Sequence, residues 1–483
     1  MPERRNPPSA RTIATATLAG TTLEWYDFFL YGTAAALIFN KQFFPDLNPA
    51  MGTLAAFSTL AVGFLARPIG GLVFGHFGDR IGRKKALVVS LLLMGGGSTL
   101  IGLIPNYATI GIWAPILLVL MRVLQGIGLG GEGAGAVLMS VEHAPGGKRN
   151  RYGGFPMMGN PAGLVLANIV FLATMKLMPG DAFHSWGWRI PFLLSFLLIA
   201  VGLVIRLRVT ESPSFTDVKE QRQVVRFPLK EALRERPTAL FATVLAVAAN
   251  SAVAYVFMVF SLSYGTERLD FGSTFMMLAV TGAALLWFAT IPLWTRFADN
   301  HGRKRMFLAG SAALLLWCLA YFPLLNTGSA GAVWVAFAGM GLIVPITHCL
   351  QGSIMADLFP PAVRYSGSSL IAQLGAIAGG GFAPMISSAL LSSTGSSTGI
   401  TLYLAGVCLV SLLAAGYLFR VAPEQDRGCD ESAHLLNTAT TDPNAATDAS
   451  SATDASSGAA SGGVCEDTPD DGTPALEGLK SGS

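Results

Sequence analysis

The sequence predicts an all-helical membrane protein, twelve transmembrane helices in two six-helix halves, and three observations lead there. The first is composition: 52% of the 483 residues are hydrophobic and only 13% are charged, where soluble domains carry about a quarter charged residues. The second is spacing. Apolar stretches long enough for a bilayer recur along the whole chain, and about 20 residues per span leave room for roughly a dozen with short loops. The alternating ten-residue strands of an outer-membrane barrel are not visible. The third is an internal repeat carried by two loops.

In order, the spans fall at residues 12–38, 54–77, 86–104, 112–142, 152–176, 188–208, 237–264, 274–297, 306–325, 331–357, 365–391 and 397–420. The first is too long for the apolar region of a secretory signal and lacks a small-residue cleavage site, so it is expected to stay in the mature protein. Loops after even-numbered spans carry Arg80, Arg83, Lys84 and Lys85, then Lys148, Arg149 and Arg151, six bases in 209–236, then Arg303, Lys304 and Arg305, and Arg364. Loops after odd-numbered spans offer Lys41, Lys176 and Arg268. Bases mark the cytoplasmic side, so both termini are expected in the cytoplasm of a multi-pass plasma-membrane protein.

Residues 421–483 break the pattern. Twelve Asp or Glu face only Arg427 and Lys480, in a background of Ala, Ser, Thr, Gly and Pro, a composition that cannot bury a core and reads as a disordered acidic tail. Without it, the chain's +3 becomes +13 over the first 420 residues. That excess lies largely in the cytoplasmic loops, so it speaks for membrane orientation and against nucleic acid. Cys318, Cys349, Cys408, Cys429 and Cys465 show no metal-ligand spacing and read as reduced bystanders.

The repeat is FGHFGDRIGRKKAL (74–87) after the second span and TRFADNHGRKRMFL (295–308) after the eighth. Each closes a span with an aromatic residue, a small residue and Asp, then runs x-x-Gly-Arg-Lys and a second base. Asp79 and Asp299 lie 220 residues apart. Anchoring by positive charge explains the bases but not the matching Asp and Gly. The chain therefore divides into an N-terminal half (1–208), a cytoplasmic linker (209–236), a C-terminal half (237–420) and the tail (421–483). Parallel halves about an axis along the membrane normal, with a site between them at mid-membrane, are one architecture of secondary carriers.

The stretch GTTLEWYDFFLYG (20–32) puts Glu24 and Asp27 inside the first span. Glu24 lies about 18 Å along a helix begun near Thr12, where an ionised carboxylate costs at least about 2.5 kcal/mol. Thr17, Gly20, Glu24, Asp27 and Tyr31 share one face at 100° per residue, whereas Trp25, Phe28 and Phe29 point elsewhere. Arg122 sits at similar depth in the fourth span, with Gln125 and Glu132 near it around that helix. Two readings stand at this point: a fixed buried ion pair, or a carboxyl that takes up and releases a proton. Asp27→Asn separates them through loss of gradient-driven accumulation.

At GxxxDRxGRKK (Gly75, Asp79, Arg80, Gly82, Arg83, Lys84, Lys85) and RVLQGIGLG (122–130) the chain resembles the major facilitator superfamily. GTTLEWYDFFLYG, ARPIGGLVFGHFGDRIGRKK, the GGE of the fourth span and SWGWRIPF (185–192) are similar to its metabolite:proton symporter family over residues 12–420. NPAMGTLAAF (48–57), TIGIWAPILLV (109–119) and LYLAGVCLVS (402–411) look most like the shikimate transporter branch. The resemblance implies the major facilitator fold, no enzymatic activity, and proton-coupled uptake of a small organic acid by alternating access. It implicates Glu24, Asp27 and Arg122 in proton linkage.

A carboxylate carrier needs buried cations, and Arg67 and Arg122 are the intramembrane candidates. Gln125, Asn160, Asn168, Asn250, Tyr255, His348, Gln351 and Gln373 together supply polar groups for hydroxyls, although each alone reads more readily as a helix-packing hydrogen bond than as a ligand, and His348 as a neutral, satisfied histidine. Gating falls to Gly75, Asp79, Arg80, Gly82, Arg83 and Lys84 with Asp299, Gly302 and Arg303, the Asp79 carboxylate clustering with Arg83, Lys84 and Arg149. GIGLGG (126–131) matches a dinucleotide pattern, but no strand precedes it, and its small residues four apart suit close helix packing. GGEGAG (130–135) has Gly133 where relatives carry Trp. No metal or cofactor is implied, the proton gradient being the driving force, and a monomer in the lipid bilayer is the expected unit. Uptake of dicarboxylates, α-ketoglutarate, citrate or betaine-like osmolytes is the alternative, and drug:proton antiport a more distant one.

Overall fold

The computed structural model describes residues 10–81, 83–130, 135–145, 148–208, 234 and 237–421. The tail (422–483), nearly all of the linker, Gly82, Glu132 and Gly133 lie outside the described residues. Among the described residues every regular element is helical: α1 (Ala10–Leu37), α2 (Pro49–Ile81), α3 (Arg83–Leu103), α4 (Trp113–Gly130 and Gly135–Glu142), α5 (Arg149–Leu177) and α6 (Arg189–Arg208) in the first half. The second half holds α7 (Pro237–Glu267), α8 (Ser273–His301), α9 (Arg303–Asn326), α10 (Ala330–Leu358), α11 (Val363–Thr394) and α12 (Thr398–Val421).

Ten of these are long and apolar enough to cross a membrane. The two short of that standard are α1 and α3. Glu24, Asp27 and a run of threonines lower the hydropathy of α1, and the apolar part of α3 is confined to Val88–Leu103. Both pack among the others, α1 against α5, α2 and α6, and α3 against α4 and α6, and with the ten they make up the twelve expected from the sequence. The second half repeats the pairing, α7 on α11, α9 on α10 and α12, while α5 meets α8 and α2 meets α11 between the halves.

Glycines let the backbones meet. A Cβ at Gly126 or Gly130 of α4 would fall on the carbonyl oxygen of Gly63 or Arg67 of α2, and one at Gly128 would lie 2.8 Å from the Ser90 carbonyl oxygen of α3. The glycine run of the fourth span is thus a packing surface. Gly302, between α8 and α9, has φ +86°, a conformation that excludes ordinary side chains, which explains the glycine of the repeat.

Each end of the bundle is tied across the halves. At the rim rich in bases, Arg149 Nη2 of α5 meets Asp357 Oδ1 of α10 at 2.9 Å, and Arg364 Nη1 of α11 meets Glu142 Oε1 of α4 at 3.4 Å. Arg303 of α9 also binds Asp357. At the opposite rim Glu267 of α7 accepts hydrogen bonds from Asn40 Nδ2 (3.3 Å) and Thr53 Oγ1 (3.1 Å). Between the rims Thr33 Oγ1 of α1 donates to Asn168 Oδ1 of α5, and Asn168 Nδ2 donates to Thr281 Oγ1 of α8, each at 3.1 Å.

Candidate functional site

Within the first half α1, α2, α3 and α4 line a cavity of about 10 Å³, room for about one water. Glu24, Asp27, Phe28, Arg67, Arg122 and Gln125 line it. Both acids and both bases singled out from the sequence therefore reach one place.

The two acids are not equivalent. Asp27, buried, accepts hydrogen bonds from the hydroxyls of Ser195 on α6 and Ser98 on α3. Ser98 Oγ in turn accepts from Gln125 Nε2 at 2.6 Å, and Gln125 Oε1 accepts from Arg122 Nη1 at 2.8 Å. Asp27 and Arg122 are thus linked through two side chains, Ser98 and Gln125, with the Ser98 hydroxyl also directed at Met94 O at 3.3 Å. Glu24 is half-buried and its charge acts on Arg67 and Tyr255 instead.

The guanidiniums rest on aromatic faces. Arg122 lies 3.8 Å from the ring centroid of Tyr31 and 5.2 Å from that of Phe28, and Arg67 lies 4.3 Å from Phe64 and 4.8 Å from Phe28, a cation–π arrangement that partly replaces hydration. Phe28, expected to point away from the acids, shares their cavity, because α1 is central in the half and is lined on more than one side. Arg67 Nε and Nη2, and Arg122 Nε and Nη2, are buried without a hydrogen-bond partner among the described residues. Buried donors left open like this are costly unless something else fills them.

Tyr255 brings the second half to this cluster. Its ring packs on Phe28 (5.5 Å) and Phe64 (5.3 Å), and its hydroxyl is buried and open. The π-helical turn Val256–Phe260 follows it immediately, and Gly380, in the π-helical turn Ile377–Gly381 of α11, leaves the space its ring occupies. Such turns place side chains off the regular helical register.

The other polar candidates divide. Asn168 is spent on Thr33 and Thr281, and Asn250 Nδ2 donates to Val344 O (3.0 Å) and Thr347 Oγ1 (2.9 Å) of α10, so both tie helices together. His348 Nδ1 donates to Asn250 Oδ1 at 3.3 Å, and the ring meets Trp287 edge-on at 5.0 Å. Asn160 Oδ1 and Gln351 Nε2 are buried and open; Gln373 is buried on α11.

Of the gating candidates, Gly75, Asp79 and Arg80 close α2 and Arg83 and Lys84 begin α3, with Gly82 outside the described residues. Arg149 binds Asp357; its expected cluster with Asp79, Arg83 and Lys84 rests on side chains outside the described residues. Asp299 accepts from the Asn150 side chain and from the backbone N–H groups of Asn150 and Arg151 of α5, and Arg303 binds Asp357. Sequence reasoning missed Ser98, Ser195, Glu142, Asp357 and Glu267. Position offered the one available signal for the three acids, which end spans α4, α10 and α7.

Residues 17–380 match the family description Major Facilitator Superfamily. The chain belongs to that superfamily. Its relatives are transporters of metabolites: it is 38% identical to the shikimate transporter of Escherichia coli over 84% of this chain and 94% of that protein, and 40% identical to a putative metabolite transport protein of Haemophilus influenzae over 85% and 95%. The proline/betaine transporter of Escherichia coli is 32% identical over 89% of this chain and 87% of its own. Among solved structures a D-xylose-proton symporter superposes with a TM-score of 0.66 at 16% identity, covering 86% of this chain and 99% of that one, a likeness of fold. This major facilitator is a multi-pass integral membrane transporter.

Proposed function

We propose that this transporter is a proton-coupled symporter that imports a small carboxylate, shikimate or a related hydroxylated or aromatic acid. The observation that carries the reading is the shared cavity of Glu24, Asp27, Arg67 and Arg122, with donors left open on both guanidiniums. Once Asp27 is protonated, Arg122 loses its counter-charge, and an unneutralised base at membrane depth costs at least about 2.5 kcal/mol, so the open guanidiniums then favour an anionic cargo. The names of the shikimate and metabolite relatives support the same class.

Asp27 is the proton's site. Ionised, it holds the hydroxyls of Ser98 and Ser195, and through Ser98 and Gln125 it holds Arg122. Protonation removes the charge that orders this relay and frees Arg122 for a substrate carboxylate. Arg67, balanced by Glu24 until then, supplies the second anchor, and Tyr255 carries the contact to the other half. Release of the acid returns Arg122 to the relay and the proton leaves Asp27. The cavity holds about one water, so cargo enters and leaves only as the halves part at one rim and close at the other. The basic rim is the cytoplasmic one, with both termini on that side of the plasma membrane.

Purified protein in proteoliposomes, given labelled shikimate and an inward proton gradient, tests this. The expected result is accumulation that a protonophore abolishes. Accumulation of protocatechuate, α-ketoglutarate, citrate or betaine in its place overturns the substrate and leaves the mechanism; downhill entry alone overturns the coupling.

A further inference from the structure

An apolar groove runs down the outside of the second half between α7 and α12, enclosing about 560 Å³. Phe241 and Leu245 form one wall and Val410, Leu413 and Tyr417 the other. Leu413 is 66% and Phe241 56% exposed, so these side chains face whatever surrounds the protein. In a membrane transporter that is the acyl region of the bilayer.

The groove ends in charge. On α12 the stripe 410, 413, 417 continues at helical spacing to Arg420, exposed in the last turn. On the α7 side Arg234, exposed and helical, lies four residues before Thr238 of the groove lining. From Pro237 to Leu245 and from Val410 to Val421 neither helix carries an acid. Tyr417, apolar in body and polar at its tip, stands between the apolar wall and the bases, as tyrosines do at the level of lipid headgroups. Both bases lie at the membrane end that also holds Arg149 and Arg303.

We propose that this groove binds an anionic phospholipid, one acyl chain against Phe241 and Leu413 and the phosphate between Arg234 and Arg420. A zwitterionic lipid offers the same chain, so the two guanidiniums supply the preference, each base near a membrane surface favouring anionic lipid. Because α7 carries Tyr255, a lipid seated on its outer face bears on a helix of the candidate transport site.

Leu413→Trp, in the full-length protein, puts a reporter on the groove. In bilayers of phosphatidylcholine mixed with brominated lipid, the difference in emission between variant and parent reads what touches it. Brominated phosphatidylglycerol is expected to bind there at least about threefold more strongly than brominated phosphatidylcholine. Val410→Trp is expected to report the same preference, and Leu316→Trp, exposed on α9, none. Arg234→Gln with Arg420→Gln brings the ratio near one, as does high salt. Equal quenching by both lipids, meaning ordinary bilayer contact, overturns the proposal. Quenching by neither lipid, meaning that a second copy or another part of the chain covers the groove, overturns it, and so does a preference that survives loss of both bases.

Discussion

At Asp27 a carboxylate buried in a membrane helix is held by two serine hydroxyls, Ser98 and Ser195, and not by a base in direct contact. Asparagine has nearly the same shape and still meets both hydroxyls, but it binds no proton. Under an inward gradient, one-proton symport accumulates cargo about tenfold per unit of pH difference. For Asp27→Asn that ratio is expected to fall to about one while counterflow exchange persists; accumulation at the parental level sinks the assignment. Arg67 is argued from the other direction, since its open Nε and Nη2 are offered to cargo. Losing a charge-assisted hydrogen bond costs about 1.5–3 kcal/mol, so Arg67→Gln is expected to raise KM roughly 10- to 100-fold. Arg67→Lys recovers only part, because an ammonium lacks the planar fork. A KM unmoved in both variants removes Arg67 from the binding site.

Between helices, close approach is set by glycines whose partners are backbone atoms. A methyl at Gly130 collides with the carbonyl of Arg67, whereas at Gly302 it meets the strain of a positive φ. Both are expected to lower the melting temperature in detergent, Gly302→Ala by a cost of about 1–2 kcal/mol and Gly130→Ala by about 1–3 kcal/mol. The two differ in function: displacing α2 moves Arg67, so Gly130→Ala also raises KM, and Gly302→Ala leaves KM in place. Equal KM in both would separate helix packing from the site. These elements mark how far the sequence could be read. Helices, the repeat and the glycine surface were legible because each is a local pattern: a long apolar run, a loop motif, small residues four apart. Glu24, Asp27, Arg67 and Arg122 were legible because charge in an apolar span is rare. Ser98 and Ser195 were not, since a lone serine in a helix usually bonds its own backbone, and only the packing of α3 and α6 on α1 aims them at Asp27. The acid that binds Arg149 at the basic rim was not legible either. Asp357 is 208 residues away, a distance no local pattern spans.

Across the whole molecule the basic rim carries a reciprocal pair of links. The start of α5 binds the end of α10 through Arg149 and Asp357, and the start of α11 binds the end of α4 through Arg364 and Glu142, as two similar halves facing one another would do. The opposite rim is held by Glu267 on Asn40 and Thr53. Polar links thus tie the halves at both ends. Arg149 is 36% exposed and Asp357 16%, so this link is worth only about 0.2–1 kcal/mol. That suits gating, since a link near 1 kcal/mol shifts a two-state population roughly fivefold without locking it. Asp357→Asn takes the carboxylate from Arg149 and Arg303 at once and is expected to widen the basic rim. Glu267→Gln is expected to widen the opposite one. Spin labels at Lys148 and Arg305 read the first distance, and labels at Leu47 and Thr274 the second. Each variant should broaden its own rim's distances toward longer values and leave the other's unchanged or shortened, because opening one rim closes the other in a rocking pair. Adding Glu142→Gln to Asp357→Asn removes both reciprocal links and should extend the shift further. Distances unmoved at both rims would mean that apolar packing of α2 on α11 and α5 on α8 sets the conformational balance and that the polar links only decorate it.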